Sequence, residues 1–177
     1  MKKALYMLAG FSDRDFDWLL TTGRRNRIPA GNALIREGEP THALYIVLEG
    51  KLAVSVAASG GEEIAQIQSG EIVGETSFVD SRPPSATVMA VEDSLVWSVP
   101  RSLLSAKLMQ DVEFSAHFYH SIAAFLCDRM RDTVSRLGYS KDQAPLQESD
   151  LNPQTMGNLE LAKVRLNWLL RRVKEPA

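Results

Sequence analysis

The side chains with the most reactive chemistry are few and scattered in this sequence. His117 and His120 are three residues apart in a stretch with helical periodicity, a spacing at which two imidazoles can share a metal ion. No aspartate, glutamate or cysteine on a neighbouring predicted element supplies a third ligand, and a pair of surface or interface histidines explains the spacing more simply. We therefore predict no metal site.

Nucleophilic catalysis has no better support. The single cysteine, Cys127, falls in an apolar helical stretch, where we expect a thiol packed in the core or in an interface. Neither a Gly-x-Ser-x-Gly motif nor a Gly-Lys-Ser/Thr motif occurs. His42 is the one histidine of the β-rich region, too few for metal-dependent chemistry inside a β-barrel. The sequence predicts no catalytic residues and a protein that is not an enzyme.

Composition and charge are those of an ordinary globular protein. The 177 residues carry 20 Lys and Arg against 22 Asp and Glu, a net charge of −2 that provides no basic field for nucleic acid or anionic lipid. The apolar stretch Ala4–Ala9 has no small-residue cleavage site after it, and the uncharged helical stretch Phe114–Cys127 is shorter than the roughly 20 residues of a membrane span. We expect a cytoplasmic protein without a membrane segment.

The first two thirds of the chain predict a short helix followed by a β domain. Ser12 is placed as an N-cap with Asp13 and Asp15 in the first turn, which predicts a helix over residues 13–22. Short apolar runs separated by glycine and polar turns extend from Ala33 to Val99, and none is long enough for a crossover helix. The expected fold class is mainly β with flanking helices, built on an antiparallel, jelly-roll-like β-barrel.

The last third predicts helices. Apolar residues at three- and four-residue steps predict one long helix over Asp111–Leu137, ended by Gly138. We expect one domain over residues 1–138, a polar linker over 139–153 and a terminal amphipathic helix within 154–177.

A framework of glycines is the most specific pattern in the sequence. Each glycine stands between predicted strands, where a tight turn needs a positive φ or a close backbone approach. They are Gly31, Gly38, Gly50, Gly70 and Gly74. Together with the run Ala43-Leu44-Tyr45-Ile46-Val47-Leu48-Glu49-Gly50 and the segment Gly70-Glu71-Ile72-Val73-Gly74-Glu75, this spacing resembles the cyclic-nucleotide-binding domains of catabolite activator proteins and kinase regulatory subunits. The resemblance extends from about Leu5 to Gly138.

The resemblance implies a ligand site for cAMP or cGMP. In that family, backbone N–H groups of a short helix hold the cyclic phosphate, a glutamate accepts a hydrogen bond from the ribose 2′-hydroxyl, and an arginine neutralises the phosphate. Gly74 and Glu75 match the family's Gly-Glu pair. The candidate ligand-binding residues implied in this way are Gly74, Glu75, Thr76, Arg82, Ser85, Ala86 and Thr87.

The phosphate-binding arginine is where this sequence departs from the family. Pro84 occupies its place and offers neither a charge nor an N–H donor. Loss of a charge-assisted hydrogen bond worth about 1.5–3 kcal/mol weakens binding about 10- to 150-fold. We therefore predict a stand-alone regulatory module with weak or no cyclic nucleotide binding. The alternative is a genuine cAMP or cGMP sensor in which Arg82, two residues upstream, reaches the phosphate from a rebuilt loop.

The two predicted C-terminal helices indicate the partners. The long helix carries an apolar stripe too aromatic to be left exposed, formed by Phe114, Phe118, Ile122, Phe125 and Leu126. Part of the stripe should cover the barrel, and the remainder should form a homodimer through the Asp111–Leu137 helix.

The terminal helix should dock on the barrel, the long helix or the partner subunit, with Trp168 as its aromatic anchor. Its apolar positions are Leu159, Ala162, Leu166, Leu169 and Leu170. The stretch after Gly138 contains no visible winged helix-turn-helix, so DNA binding is not favoured. An atypical transcription regulator, or an accessory subunit that binds another protein, stays open as an alternative.

Overall fold

The chain forms two four-stranded antiparallel sheets with helices packed against one of them. The computed structural model describes residues 4–80, 82–136 and 153–172. The strands are β1 (Arg24–Ile28), β2 (Ala33–Ile35), β3 (Ala43–Glu49), β4 (Lys51–Ser55), β5 (Glu63–Gln68), β6 (Ile72–Val73), β7 (Thr87–Ala90) and β8 (Ser94–Pro100). The helices are α1 (Ala4–Gly10), α2 (Asp13–Thr22), α3 (Thr76–Val79), α4 (Arg101–Gln110), α5 (Val112–Arg136) and α6 (Pro153–Arg172).

The sheets have the orders β1-β8-β3-β6 and β2-β7-β4-β5, and all their pairings are antiparallel. The predicted fold class, mainly β with flanking helices, is confirmed. The predicted closure into a barrel is wrong, because no hydrogen-bonded pairing of the described strands joins the two sheets. The edge strands β2 and β6 have three and two residues, too short to continue a ladder around a closed barrel.

Strand β3 contributes to two separate cores. Its residues from Ala43 to Leu48 are all buried. Because successive side chains of a strand point to opposite faces, Ala43, Tyr45 and Val47 pack between the two sheets, whereas Leu44, Ile46 and Leu48 pack against the helices. This central strand therefore connects the sheet sandwich to the helical layer.

The predicted first helix is confirmed, and its start is capped as expected. Ser12 and Asp15 form a capping box in which each side chain accepts a hydrogen bond from the other residue's backbone N–H. The buried Asp15 carboxylate also lies 2.7 Å from Nδ1 of His117 on α5, so the cap joins two helices.

The predicted long helix is present as α5, and a further helix, α4, precedes it. Asp111 separates the two and caps α5, accepting a hydrogen bond from the backbone N–H of Phe114 at 3.0 Å. Leu137, Gly138 and residues 139–152 of the predicted linker lie outside the described residues. No helix within the described ranges is both long and apolar enough to cross a membrane.

The aromatic stripe of α5 packs against other parts of the same chain. Phe114, Phe118, Ile122 and Phe125 are all buried, and Leu126 is half-buried. The stripe is therefore largely covered within the chain, which corrects the reason for which a dimer was expected. Cys127 is exposed, so its predicted packing in the core is wrong.

Helix α6 docks on the N-terminal helices. Leu159, Ala162, Leu166 and Leu169 are buried in the same core as α1 and α2. Trp168 lies edge-on to Phe16, with 6.2 Å between the ring centres, but remains 41% exposed. It is therefore less buried than the predicted aromatic anchor of this helix would be.

A buried arginine holds α6 in place. Arg165 is 5% exposed and donates hydrogen bonds to the backbone carbonyls of Leu8, at 2.8 Å, and Phe11, at 2.6 Å. Its guanidinium also donates to the Asp13 carboxylate at 2.5 Å. Since the two carbonyls lie at the end of α1 and just after it, Arg165 supplies donors that the helix terminus lacks.

Candidate functional site

The predicted Gly-Glu pair lies in the turn from β6 into α3. Gly74 has a φ of +86°, a left-handed conformation that favours glycine. A Cβ at this position would lie 2.7 Å from the carbonyl oxygen of Ala43 on the adjacent strand. The next residues form the short helix α3, in which Ser77 Oγ donates to the Gly74 carbonyl at 2.7 Å. The turn therefore requires glycine both for its conformation and for its close approach to β3.

Glu75 is buried and forms an ion pair with the long helix. Its residue is 2% exposed, and Arg129 Nη1 donates to Glu75 Oε1 at 3.0 Å. The Arg129 guanidinium also lies 4.8 Å from the centre of the Phe125 ring. A buried carboxylate is costly unless it is paired, so this contact anchors α5 to the turn.

Sequence reasoning did not identify Arg129. It lies 54 residues from Glu75, and no local pattern connects the two positions. The one feature of the sequence that could have identified Arg129 is its position in the apolar stripe of α5, whose residues recur at steps of three and four. A charged residue in line with buried side chains suggests that it has a buried partner.

Arg82 lies on the surface. Its side chain is 85% exposed and forms an ion pair with Asp80, to which Nε donates at 2.5 Å. These hydrogen bonds hold the pKa of the Asp80 carboxyl below its ordinary value. Thr76, at the start of α3, is also exposed.

The segment that carries Pro84 is attached to the loop between β2 and β3. The Pro84 carbonyl accepts a hydrogen bond from the Gly38 N–H at 2.9 Å, and Thr87 Oγ1 accepts one from the Glu37 N–H at 3.1 Å. Between them, Ser85 is exposed and Ala86 is half-buried. The structure thus brings Gly74 and Glu75 together in one turn and holds the Pro84–Thr87 segment against a different loop.

Thr41 is a further polar residue beside the Gly74 turn. It is 5% exposed, and its Cγ2 lies 3.1 Å from where a Gly74 Cβ would be. Its hydroxyl Oγ1 is buried and has no hydrogen-bond partner among the residues the structure describes. Sequence reasoning did not single out Thr41, because one threonine before an apolar strand carries no distinguishing pattern.

His117 and His120, the two histidines considered as metal ligands, lie in different surroundings. His117 contacts Asp15, and His120 is exposed on α5. Within residues 4–80, 82–136 and 153–172, no group of three histidine, cysteine, aspartate or glutamate side chains is placed to hold a metal ion.

The domain has the features of the cyclic-nucleotide-binding type. These are two packed sheets, a Gly-Glu turn into a short helix, and a long helix anchored to that turn. Residues 25–111 match the family described as "Cyclic nucleotide-binding domain". This part of the chain belongs to that family, which confirms the resemblance found in the sequence.

Two relatives match different shares of this chain. The cyclic AMP receptor protein of Thermus thermophilus is 31% identical over 125 residues, which are 70% of this chain and 56% of that protein. An uncharacterized NTE family protein of Mycobacterium tuberculosis is 34% identical over 93 residues, 52% of this chain and 16% of that protein. This chain therefore corresponds to one part of each relative.

Solved structures show the same fold. The crystal structure of a cyclic nucleotide-binding domain from Methylobacillus flagellatus has a TM-score of 0.67 and 23% identity, covering 80% of this chain and 84% of that one.

Proposed function

We propose that this chain is a regulatory sensor module of the cyclic nucleotide-binding family that binds cAMP and cGMP weakly or not at all. The proposal is supported by the proline that stands where the family resemblance places the phosphate-binding arginine. Pro84 has its carbonyl bonded to the Gly38 N–H, and Arg82, the alternative donor, is 85% exposed and paired with Asp80. The module acts by binding rather than by catalysis.

The signal of this sensor is the position of α5. Arg129 joins that helix to Glu75, the residue that the family resemblance assigns to the ligand's ribose hydroxyl. Beyond Arg129 the described side chains of α5 are all exposed, so this ion pair lies at the end of the buried part of the helix. A ligand hydroxyl that donates to Glu75 competes with Arg129 and changes how the end of α5 is held.

We further propose a homodimer through the outward face of α5. The exposed residues of this face recur at alternating steps of four and three, the heptad spacing of a coiled-coil seam. They are Ala116, His120, Ala123, Cys127, Met130 and Val134. This face lies opposite the buried aromatic stripe, so the dimer does not compete with the packing of α5 on its own domain.

Isothermal titration with cAMP and cGMP tests the proposed function. The unaltered protein should bind with a dissociation constant in the high micromolar range or weaker. Pro84→Arg should bind at least about tenfold more tightly, because it restores one charge-assisted hydrogen bond. Pro83→Arg, which adds the same charge one residue earlier at an exposed position, is the matched control. A submicromolar constant for the unaltered protein would show that the phosphate subsite is intact.

The dimer is tested by sedimentation equilibrium and by oxidation of Cys127, the single cysteine of the chain. In a parallel two-stranded seam, equivalent positions meet across the axis, so mild oxidation should yield a disulfide-linked dimer. Cys127→Ser is the control for cross-linking. A monomer mass at all accessible concentrations, with no disulfide dimer, would exclude this interface.

A further inference from the structure

Strand β1 lies at one edge of its sheet. It pairs with β8 along its whole length, from Arg24 opposite Ser98 to Ile28 opposite Ser94, and the register does not shift. Of the strands that the structure describes, only β8 pairs with β1. Because the backbone groups of a strand alternate between its two sides, β1 presents a second row of N–H and C=O groups that no described strand occupies.

The exposed side chains of β1 are strongly basic. Arg24, Arg25, Asn26 and Arg27 are all exposed, and the strand carries no acidic residue. The residues of β8 that stand opposite the three arginines are uncharged: Ser98, Trp97 and Leu95. Within the described part of the chain, Arg24 and Arg27 form no ion pair and no side-chain hydrogen bond. Two guanidinium groups at this edge are therefore available to an acidic partner.

The charge of β1 determines which kind of strand can pair with its outer edge. A second copy of β1, paired antiparallel about Asn26, would set Arg25 against Arg27. Like charges directly opposite each other destabilise a pair of strands, and opposite charges stabilise it. The arginines therefore oppose pairing between two copies of this edge and favour pairing with an acidic strand.

We propose that β1 is a docking edge for an acidic, extended segment of another protein, which adds to the four-stranded sheet next to β1. The backbone of the segment supplies the hydrogen bonds, and two of its carboxylates pair with Arg24 and Arg27. Each residue of an added strand stands opposite one residue of β1. The two carboxylates are therefore three positions apart, and they lie on opposite faces of the added strand. The proposal is independent of any ligand at the Gly74 turn.

A nucleic acid fits this edge less well than a peptide does. A phosphate backbone offers acceptors for the arginines and the N–H groups, but it has no donor for the carbonyl oxygens of β1. Nucleic-acid affinity also depends on many phosphate contacts, and the chain as a whole has a net charge of −2. An extended peptide satisfies both the donors and the acceptors of the edge.

Fluorescence anisotropy with the full chain tests the charge recognition. The probe is a labelled peptide, Thr-Val-Glu-Val-Thr-Glu-Val-Thr, whose two glutamates have the required spacing, and it should bind with a micromolar dissociation constant. The double variant Arg24→Gln, Arg27→Gln should bind it at least about fivefold more weakly, because it removes both charge pairs. The control is Arg36→Gln, Arg131→Gln, which removes the same charge from exposed positions outside β1 and should change the affinity little. Equal weakening by the two double variants, or no binding at millimolar peptide, overturns the proposal.

Two N-methylated forms of the probe peptide test whether it binds as a strand. One is methylated on the backbone nitrogens of its third and fifth residues, and the other on those of its fourth and sixth. An added strand bonds to β1 along one of its edges, so one form should lose at least about tenfold in affinity and the other should bind nearly as the unmodified peptide does. Equal affinity of the two forms overturns strand addition. Tighter binding of an eight-nucleotide oligothymidylate than of the peptide would show a nucleic-acid surface, and the proposal would be wrong.

Discussion

Replacing Arg165 by methionine should release α6 from the N-terminal helices. Methionine retains much of the aliphatic volume but none of the five donors of the guanidinium. The two bonds to the carbonyls of Leu8 and Phe11 come from a charged donor, and losing them should cost about 1.5 kcal/mol each. The pair with Asp13, whose side chain is 90% exposed, adds at most about 1 kcal/mol. We expect a total loss of about 3 kcal/mol.

In a chain of this size, 1 kcal/mol corresponds to about 2–4 °C in melting temperature, so Arg165→Met should melt about 6–12 °C lower. Arg171→Met, at an exposed position of the same helix, is the matched control and should change the melting temperature little. If α6 detaches before the domain unfolds, the emission of Trp168 should shift to longer wavelength and protease should cleave near α6. The reasoning fails if the two variants melt within about 2 °C of each other and Trp168 emission is unchanged.

Two more predictions concern backbone strain and pH. Gly74→Ala and Gly31→Ala both place alanine at a similar positive φ, but only the Cβ at position 74 would meet a backbone oxygen, that of Ala43. Urea unfolding should therefore show a free energy of unfolding that is about 1–3 kcal/mol lower for Gly74→Ala than for Gly31→Ala. Equal losses would contradict the close approach. Burial raises the pKa of Asp15, but the hydrogen bonds from Ser12 and the contact with His117 outweigh it and lower the pKa overall. The stability that this carboxylate contributes is present above its unfolded pKa and is lost as pH falls through the lowered folded pKa. Asp15→Asn should therefore destabilise the protein at pH 7, and its deficit should shrink below about pH 4; a constant deficit would contradict the assignment.

Local sequence was sufficient for strands β2 to β8 and for the turns between them. Each glycine of the framework has a positive φ, as its position between apolar runs indicated. The reason is that turn geometry and strand alternation depend on neighbouring residues, so their signals are complete within a few positions. The Ser12 cap was predictable for the same reason.

Helices without a clear period were not predicted. Helix α4 buries one residue, Leu104, so its sequence shows no apolar stripe. Helix α1 is covered by both α5 and α6, and a helix buried on several sides loses the contrast between faces that reveals the 3.6-residue period. Strand β1 was also not predicted. It consists of arginine and asparagine residues ended by Ile28, so it lacks the apolar signal of a strand. This polar composition suits a strand at the exposed edge of a sheet.

The candidate site needed the folded chain for its decisive contacts. The sequence indicated Gly74 and Glu75, and also the proline at the arginine position, because these belong to one short segment. The partner of Glu75 is Arg129 on a helix far along the chain, and the methyl group that lies beside Gly74 comes from Thr41 in the loop before β3. Such contacts between distant residues arise only when the sheets and helices pack, since burial removes water as the competing partner and makes each unpaired charge or hydroxyl costly.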